Sequence, residues 1–117
     1  MIGLSHIAVH IAVPALVGLV FYRAEWLKVA LILVATMVVD VDHLLADPTY
    51  DPERCSIGFH PLHTLPAIAV YCVLAALPLA WRPKADTPRL QTTARALHLI
   101  GLGLLIHMTL DLGDCFL

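Results

Sequence analysis

The sequence predicts an all-α fold, a bundle of four transmembrane helices, on three observations. Apolar residues make up 60% of the 117-residue chain and charged residues only 14%, where a soluble domain has about half and about a quarter. The apolar residues fall in four runs, each close to the roughly 20 residues that a membrane-crossing helix needs. The runs also lack the period-two alternation of a membrane barrel. Mean hydropathy, +0.85, points the same way.

The first span, about residues 2–22, lies where a signal peptide would. It lacks a basic leading region and contains His6 and His10, so it reads as a retained helix. A tight turn at 23–26 leads to the second span, about 27–46. The connection at 47–61 contains Pro48, Pro52 and Pro61 and cannot continue a helix. The third span, about 62–81, and the fourth, about 94–112, are joined by a short loop with Pro83 and Pro88 as breakers. Pro14 and Pro66 are expected to kink their helices. No repeat or low-complexity segment divides the chain, which reads as one integral membrane domain over 1–117.

Basic residues set the direction. Arg23, Lys28, Arg82, Lys84, Arg89 and Arg95 all lie on the side that joins span one to two and three to four; of the seven basic residues only Arg54 lies on the other. The positive-inside rule puts the two short connections in the cytoplasm, and both termini and the 47–61 connection on the exoplasmic side. The expected location is the inner (cytoplasmic) membrane, multi-pass. Tyr22, Trp26 and Trp81 fall at the cytoplasmic ends, as an aromatic belt would. A net charge of −2 without a basic stripe excludes nucleic acid as a partner; the partners expected are membrane lipid and a small-molecule or lipid substrate, and an oligomer is compatible with the sequence.

Seven histidines are many for so apolar a chain. His6 and His10 stand near the start of span one, Asp40, Asp42 and His43 near the end of span two, His60 and His63 at the start of span three, and His107, Asp111 and Asp114 at the end of span four. Alternating helix directions put start, end, start and end at one membrane face, the one turned to the periplasm. Residues three or four apart share a helix face, which pairs His6 with His10, Asp40 with His43, His60 with His63 and His107 with Asp111. Asp42 falls about 100° from His43, as a ligand or as an acceptor that orients a ligating imidazole. Bundles build metal sites from such pairs on facing helices, and a metal would offset the cost of ionisable groups at membrane depth. The candidate ligands are His6, Asp40, Asp42, His43, His60, His63, His107 and Asp111. His10 reads equally as ligand or packing residue, and His98, at the opposite end of span four, as an interhelical hydrogen-bonding residue. Histidine with carboxylate suits zinc, one or two ions, with manganese or iron as alternatives. Asp42 or Asp40 is the candidate general base, and Arg54 a candidate phosphate contact. Cys55 and Cys115 fall on the oxidising side and form a candidate disulfide; Cys72 is mid-helix.

At Asp40-Val-Asp-His43 and Cys55-Ser-Ile-Gly-Phe-His-Pro-Leu-His63 the chain resembles a bacterial family of small four-helix membrane proteins. That family is in turn similar to the membrane-bound metal-dependent hydrolases of the LexA-binding, inner-membrane-associated type. His6 and the closing His107-x-x-x-Asp111 fit the same order of motifs, so the resemblance covers almost the whole chain. The His60-Pro-Leu-His63 segment departs from the His-Arg-x-x-Thr-His form of the larger group. The resemblance implies a metal-dependent hydrolase, here acting on a phosphoester or ester of a lipid or lipid-linked substrate. Two other readings of the same ligands stay open: a metal-binding or metal-transport protein, and a structural or regulatory subunit stapled by metal without catalysis.

Overall fold

A computed structural model describes residues 3–81 and 86–116. Arg82, Pro83 and Lys84, assigned above to the cytoplasmic loop, and position 2 of the first span lie outside them. Every regular element among the described residues is helical: α1 (Gly3–Phe21), a 3-10 turn (Arg23–Glu25), α2 (Trp26–Ala35) running on into a 3-10 helix (Thr36–Leu45), a 3-10 turn (Pro61–His63), α3 (Leu65–Ala80) and α4 (Pro88–Asp114). The four helices pack as two close pairs, α1 on α2 and α3 on α4, with α4 also touching α1 and α2. One apolar core, Val29, Leu33 and Leu99, lies toward the end where α2 begins. A second, Val39, Tyr71, Leu104 and Met108, lies under the histidine-rich end.

Helix α4 approaches its neighbours through glycine. A Cβ at Gly101 would collide with the Ala75 nitrogen and the Leu74 carbonyl carbon, and one at Gly103 with the Thr36 side chain. Small residues that let helix backbones come close are the usual seam between membrane helices, where lipid leaves no hydrophobic drive to associate. α1 and α4 are long and apolar enough to cross a membrane. Only 17% of the apolar stretch of α1 is buried; Leu4, Ile7, Ile11, Leu16 and Val20 face outward.

The second helix departs from expectation in kind. It is α-helical only to Ala35 and then 3-10 for ten residues, where such runs seldom exceed about four. The switch falls at Thr36, whose hydroxyl donates to the Leu33 carbonyl at 2.6 Å, taking up a carbonyl of the α ladder. In a 3-10 helix residues three apart lie in register. Accordingly Thr36, Val39 and Asp42 are buried, Met37, Asp40 and His43 are half-buried, and Val38, Val41 and Leu44 form an exposed aliphatic row. Asp42 therefore points inward, toward the other helices.

Three boundaries also change. The third helix is broken at its start: Pro61–His63 is a separate turn, and α3 begins at Leu65. Pro66 sits in the first turn of α3, where its missing N–H costs nothing, so it starts a helix and kinks none. α4 begins at Pro88 and runs through Asp114, so Pro88 opens a helix and does not break one.

Cys55 and Cys115 are joined by a disulfide across 60 residues of sequence. It ties the 47–61 connection to the end of α4, over the histidine cluster. A loop of this length is worth about 4 kcal/mol in the chain-entropy treatment. The Cys55→Ser/Cys115→Ser double variant is therefore expected to unfold at lower temperature than the wild type, while the wild type treated with reductant falls to the same value; equal melting of all three would contradict a stabilising bridge.

Candidate metal centre

Four helix ends deliver the site. α1 supplies His6 and His10, the 3-10 helix Asp40, Asp42 and His43, the Pro61–His63 turn His63, and α4 His107, Asp111 and Asp114. His63 is fully buried, and His10, His107 and Asp111 are nearly so.

Four of these groups meet at one point. Asp40 Oδ1 lies 2.9 Å from His107 Nε2 and 3.2 Å from His63 Nε2; Asp111 Oδ2 lies 3.1 Å from each of the same two nitrogens. The ligand atoms offered by the four residues all lie within 4.8 Å of one another. A tetrahedral ion with bonds of about 2.0–2.1 Å has edges of about 3.3 Å between ligands, and the four N···O separations lie close to that value while also falling within hydrogen-bond range. The buried atoms His63 Nε2, His107 Nδ1 and Asp111 Oδ2 have no hydrogen-bond partner among the described residues, and leaving such atoms unpaired is costly. Two nitrogen and two oxygen donors facing one centre, two of them otherwise orphaned, fit a divalent cation.

Asp42 is the organiser beside this group. Its Oδ2 accepts from the Leu62 backbone N–H at 2.8 Å and from His63 Nδ1 at 3.0 Å. Its Oδ1 accepts from His43 Nδ1 at 3.0 Å. A carboxylate only accepts, so both imidazoles carry a proton on Nδ1; Nε2 of His63 then faces Asp40 and Asp111, and Nε2 of His43 faces Ser56. That is the outer-shell arrangement that fixes a ligating histidine. Tyr71 supports the turn from below by donating to the Leu62 carbonyl at 2.8 Å.

The expected site residues separate into roles. Asp40, His63, His107 and Asp111 form the convergent group. Asp42, with both oxygens engaged and 4% exposure, positions His63 and His43, and its burial and three donors do not suit a general base. His43 shares a second, overlapping group with Asp40, Asp42 and His63, but its Nε2 faces away, 3.3 Å from the Ser56 hydroxyl. His60 joins none of these groups; its ring stacks on His43 at 3.7 Å between centroids. Burial, and then the neighbouring His43, lower the His60 pKa below the ordinary imidazole value. His6 lies with His10 against the other side of Asp111. His10, which the sequence left between ligand and packing roles, contacts Asp111 directly; its signal was the i, i+4 spacing from His6. Ser56 carried no signal at all, because only the folded loop brings it to His43. His98 bridges helices at the far end, donating to the Ala75 carbonyl at 2.7 Å and accepting from the Tyr22 hydroxyl at 3.0 Å.

A cavity of about 400 Å³ opens above the cluster, lined among others by His6, Ile7, Asp40, His43, Arg54 and Ser56. Asp40 belongs to both the cavity wall and the convergent group. Arg54 is held at the cavity by donating to the Pro48 carbonyl at 2.9 Å, with its guanidinium 4.5 Å from the Phe59 ring centre.

A family model described as a family of unknown function (DUF6122) matches residues 1–81. The matched part holds α1 through α3 and every site residue except His107, Asp111 and Asp114 of α4. No curated protein and no solved structure matches the chain.

Proposed function

The chain belongs to the DUF6122 family, and from its site we propose that it is a membrane-embedded, metal-dependent hydrolase acting on a phosphoester or ester of a lipid or lipid-linked substrate, akin to the membrane-bound metal-dependent hydrolases its motifs resemble. The observation that carries this reading is the convergence of Asp40, His63, His107 and Asp111 at 2.9–3.2 Å, with Asp40 opening into a cavity of ligand size.

In this reading all four helices cross the membrane. Ten α residues at about 1.5 Å and ten 3-10 residues at about 2.0 Å give the second helix roughly 35 Å, enough for a hydrocarbon core of about 30 Å. α3 is shorter, and the Pro61–His63 turn extends it. The molecule's 50 Å long axis and the outward aliphatic row Val38, Val41 and Leu44 agree with this. The bias of basic residues orients the bundle in the inner membrane with its centre toward the periplasm.

Two imidazoles and two carboxylates suit zinc, with manganese or iron as the alternatives. Such an ion supplies Lewis acidity and a water acidic enough to ionise near neutral pH. The residues around it do the rest. His43, its Nδ1 proton held by Asp42 and its Nε2 within 3.3 Å of the Ser56 hydroxyl at the cavity wall, is placed to take the proton of an attacking water as general base once water replaces that hydroxyl as its partner. Arg54 offers its remaining N–H groups to an anionic headgroup. Exposed Ile7 on the cavity wall gives an acyl chain an apolar way in from the bilayer.

The test is turnover. Protein purified in detergent is expected to hydrolyse members of a panel of phosphatidic acid, other phospholipids and lipid esters, to stop with chelator and to recover with zinc. Tightly bound metal without turnover across the panel would contradict the hydrolase reading and favour a metal-stapled protein. For an active phosphoester substrate, Arg54→Ala is expected to raise KM about tenfold, the loss of one charge-assisted hydrogen bond of at least about 1.5 kcal/mol. The same substitution should leave KM for a neutral ester unchanged.

A further inference from the structure

Asp111 uses its two oxygens in opposite directions. Oδ2 faces His63 and His107, whereas Oδ1 lies 3.0 Å from His10 Nε2 and 3.6 Å from His6 Nε2. The protons of His6 and His10 are accounted for elsewhere. His10 Nδ1 donates to the His6 carbonyl at 2.8 Å, and His6 Nδ1 donates to Asp114 Oδ2 at 3.2 Å. With the proton of each neutral ring on Nδ1, its Nε2 lone pair points toward a carboxylate oxygen. Two lone pairs facing an anion, with His10 only 1% exposed, repel unless a positive charge sits among them. His63 has the same arrangement on the other side of Asp111, with its Nδ1 proton on Asp42.

We propose that His6, His10 and Asp111 Oδ1 hold a second divalent cation, and that Asp111 is a carboxylate bridge between it and the Asp40–His63–His107 site. The proposal rests on the metal-centre reading above and deepens it, from one ion to a pair. His6, His10 and Asp111 place their ligand atoms within 4.8 Å of one another, and the His10 and His107 rings meet edge to face at 4.6 Å between centroids, which makes the two groups one cluster. Charge supports a pair. Asp40, Asp42 and Asp111 are three carboxylates, the last two buried, and one divalent ion does not balance all three. His6 also lines the cavity, so both ions would lie at its floor. A pair of ions there would supply a clamp for the attacking and leaving oxygens of a phosphoester, which favours the phosphoester branch of the proposed function.

The rival occupant of each gap is a proton, giving imidazolium on His6 and His10. Metal counting separates the two. Full-length protein in detergent, stripped with chelator and titrated with Co²⁺ alone, is expected to bind about two equivalents. X-ray absorption of the loaded protein should show a metal–metal vector at about 3.5–4 Å. His10→Gln should bind about one equivalent and lose the vector. His6→Ala, at the partly exposed edge of the cluster, gives the same readout should the buried substitution prevent folding. One equivalent and no vector in the wild type would overturn the second site and leave the first intact. No bound Co²⁺ in the wild type would overturn both.

Discussion

Asp111→Asn is expected to lower metal affinity by at least about 100-fold at both positions of the cluster, more than any other single substitution. Loss of an outer-shell partner typically costs 10–100-fold, and Asp111 is in direct reach of four imidazoles, through Oδ2 to His63 and His107 and through Oδ1 to His6 and His10. Asparagine keeps the volume, but it removes the charge and turns an amide N–H₂ toward one of the imidazole pairs. The side chain is 3% exposed, so water cannot take the place of the lost oxygen. Elemental analysis of the purified variant beside the wild type reads the effect directly. Wild-type metal content in Asp111→Asn would mean that Asp111 is not a ligand at either position.

Asp42 gives the second large effect, and its two variants separate metal binding from chemistry. In Asp42→Asn the amide oxygen can keep the paired donors, Leu62 N–H and His63 Nδ1. The amide N–H₂ then faces His43 Nδ1 and forces that ring to carry its proton on Nε2. Metal binding should survive within about tenfold, while kcat falls by on the order of 10²–10⁴, the typical worth of a positioned general base. Asp42→Ala releases His63 as well, so metal affinity should drop 10–100-fold in addition. Equal kcat for wild type and Asp42→Asn would remove His43 from the reaction.

The all-α fold was legible because hydropathy reports burial or lipid contact whatever the partner helix. α1 and α4 both pass as candidate spans on the same grounds. The hydropathy of the second helix could not tell i→i+3 from i→i+4 bonding, since both wind an apolar run into a rod. The inward turn of Asp42 depends on that difference and on Thr36, whose hydroxyl has many other uses in an apolar helix. The site was legible as a level, because alternating helix direction brings His6, Asp40, His63 and His107 to one end. Its division of labour was not. His60 and His63 have equal claims by spacing, and only the break between Pro61–His63 and α3 sends one ring into the centre and stacks the other on His43. Likewise Asp40 and Asp42 are alike in sequence, and the 3-10 register places one at the cavity in the convergent group and makes the other a buried acceptor. The family match stops at residue 81, short of the two α4 residues that close the convergent group.

The most direct test of the account is the metal content of purified wild-type protein beside a His63→Gln/His107→Gln double variant, both checked for helicity and measured by elemental mass spectrometry. The account expects stoichiometric divalent metal in the wild type and loss of the ion bound by Asp40, His63, His107 and Asp111 in the folded variant. A folded wild type with no bound metal, or a variant that keeps the full wild-type complement, would contradict it.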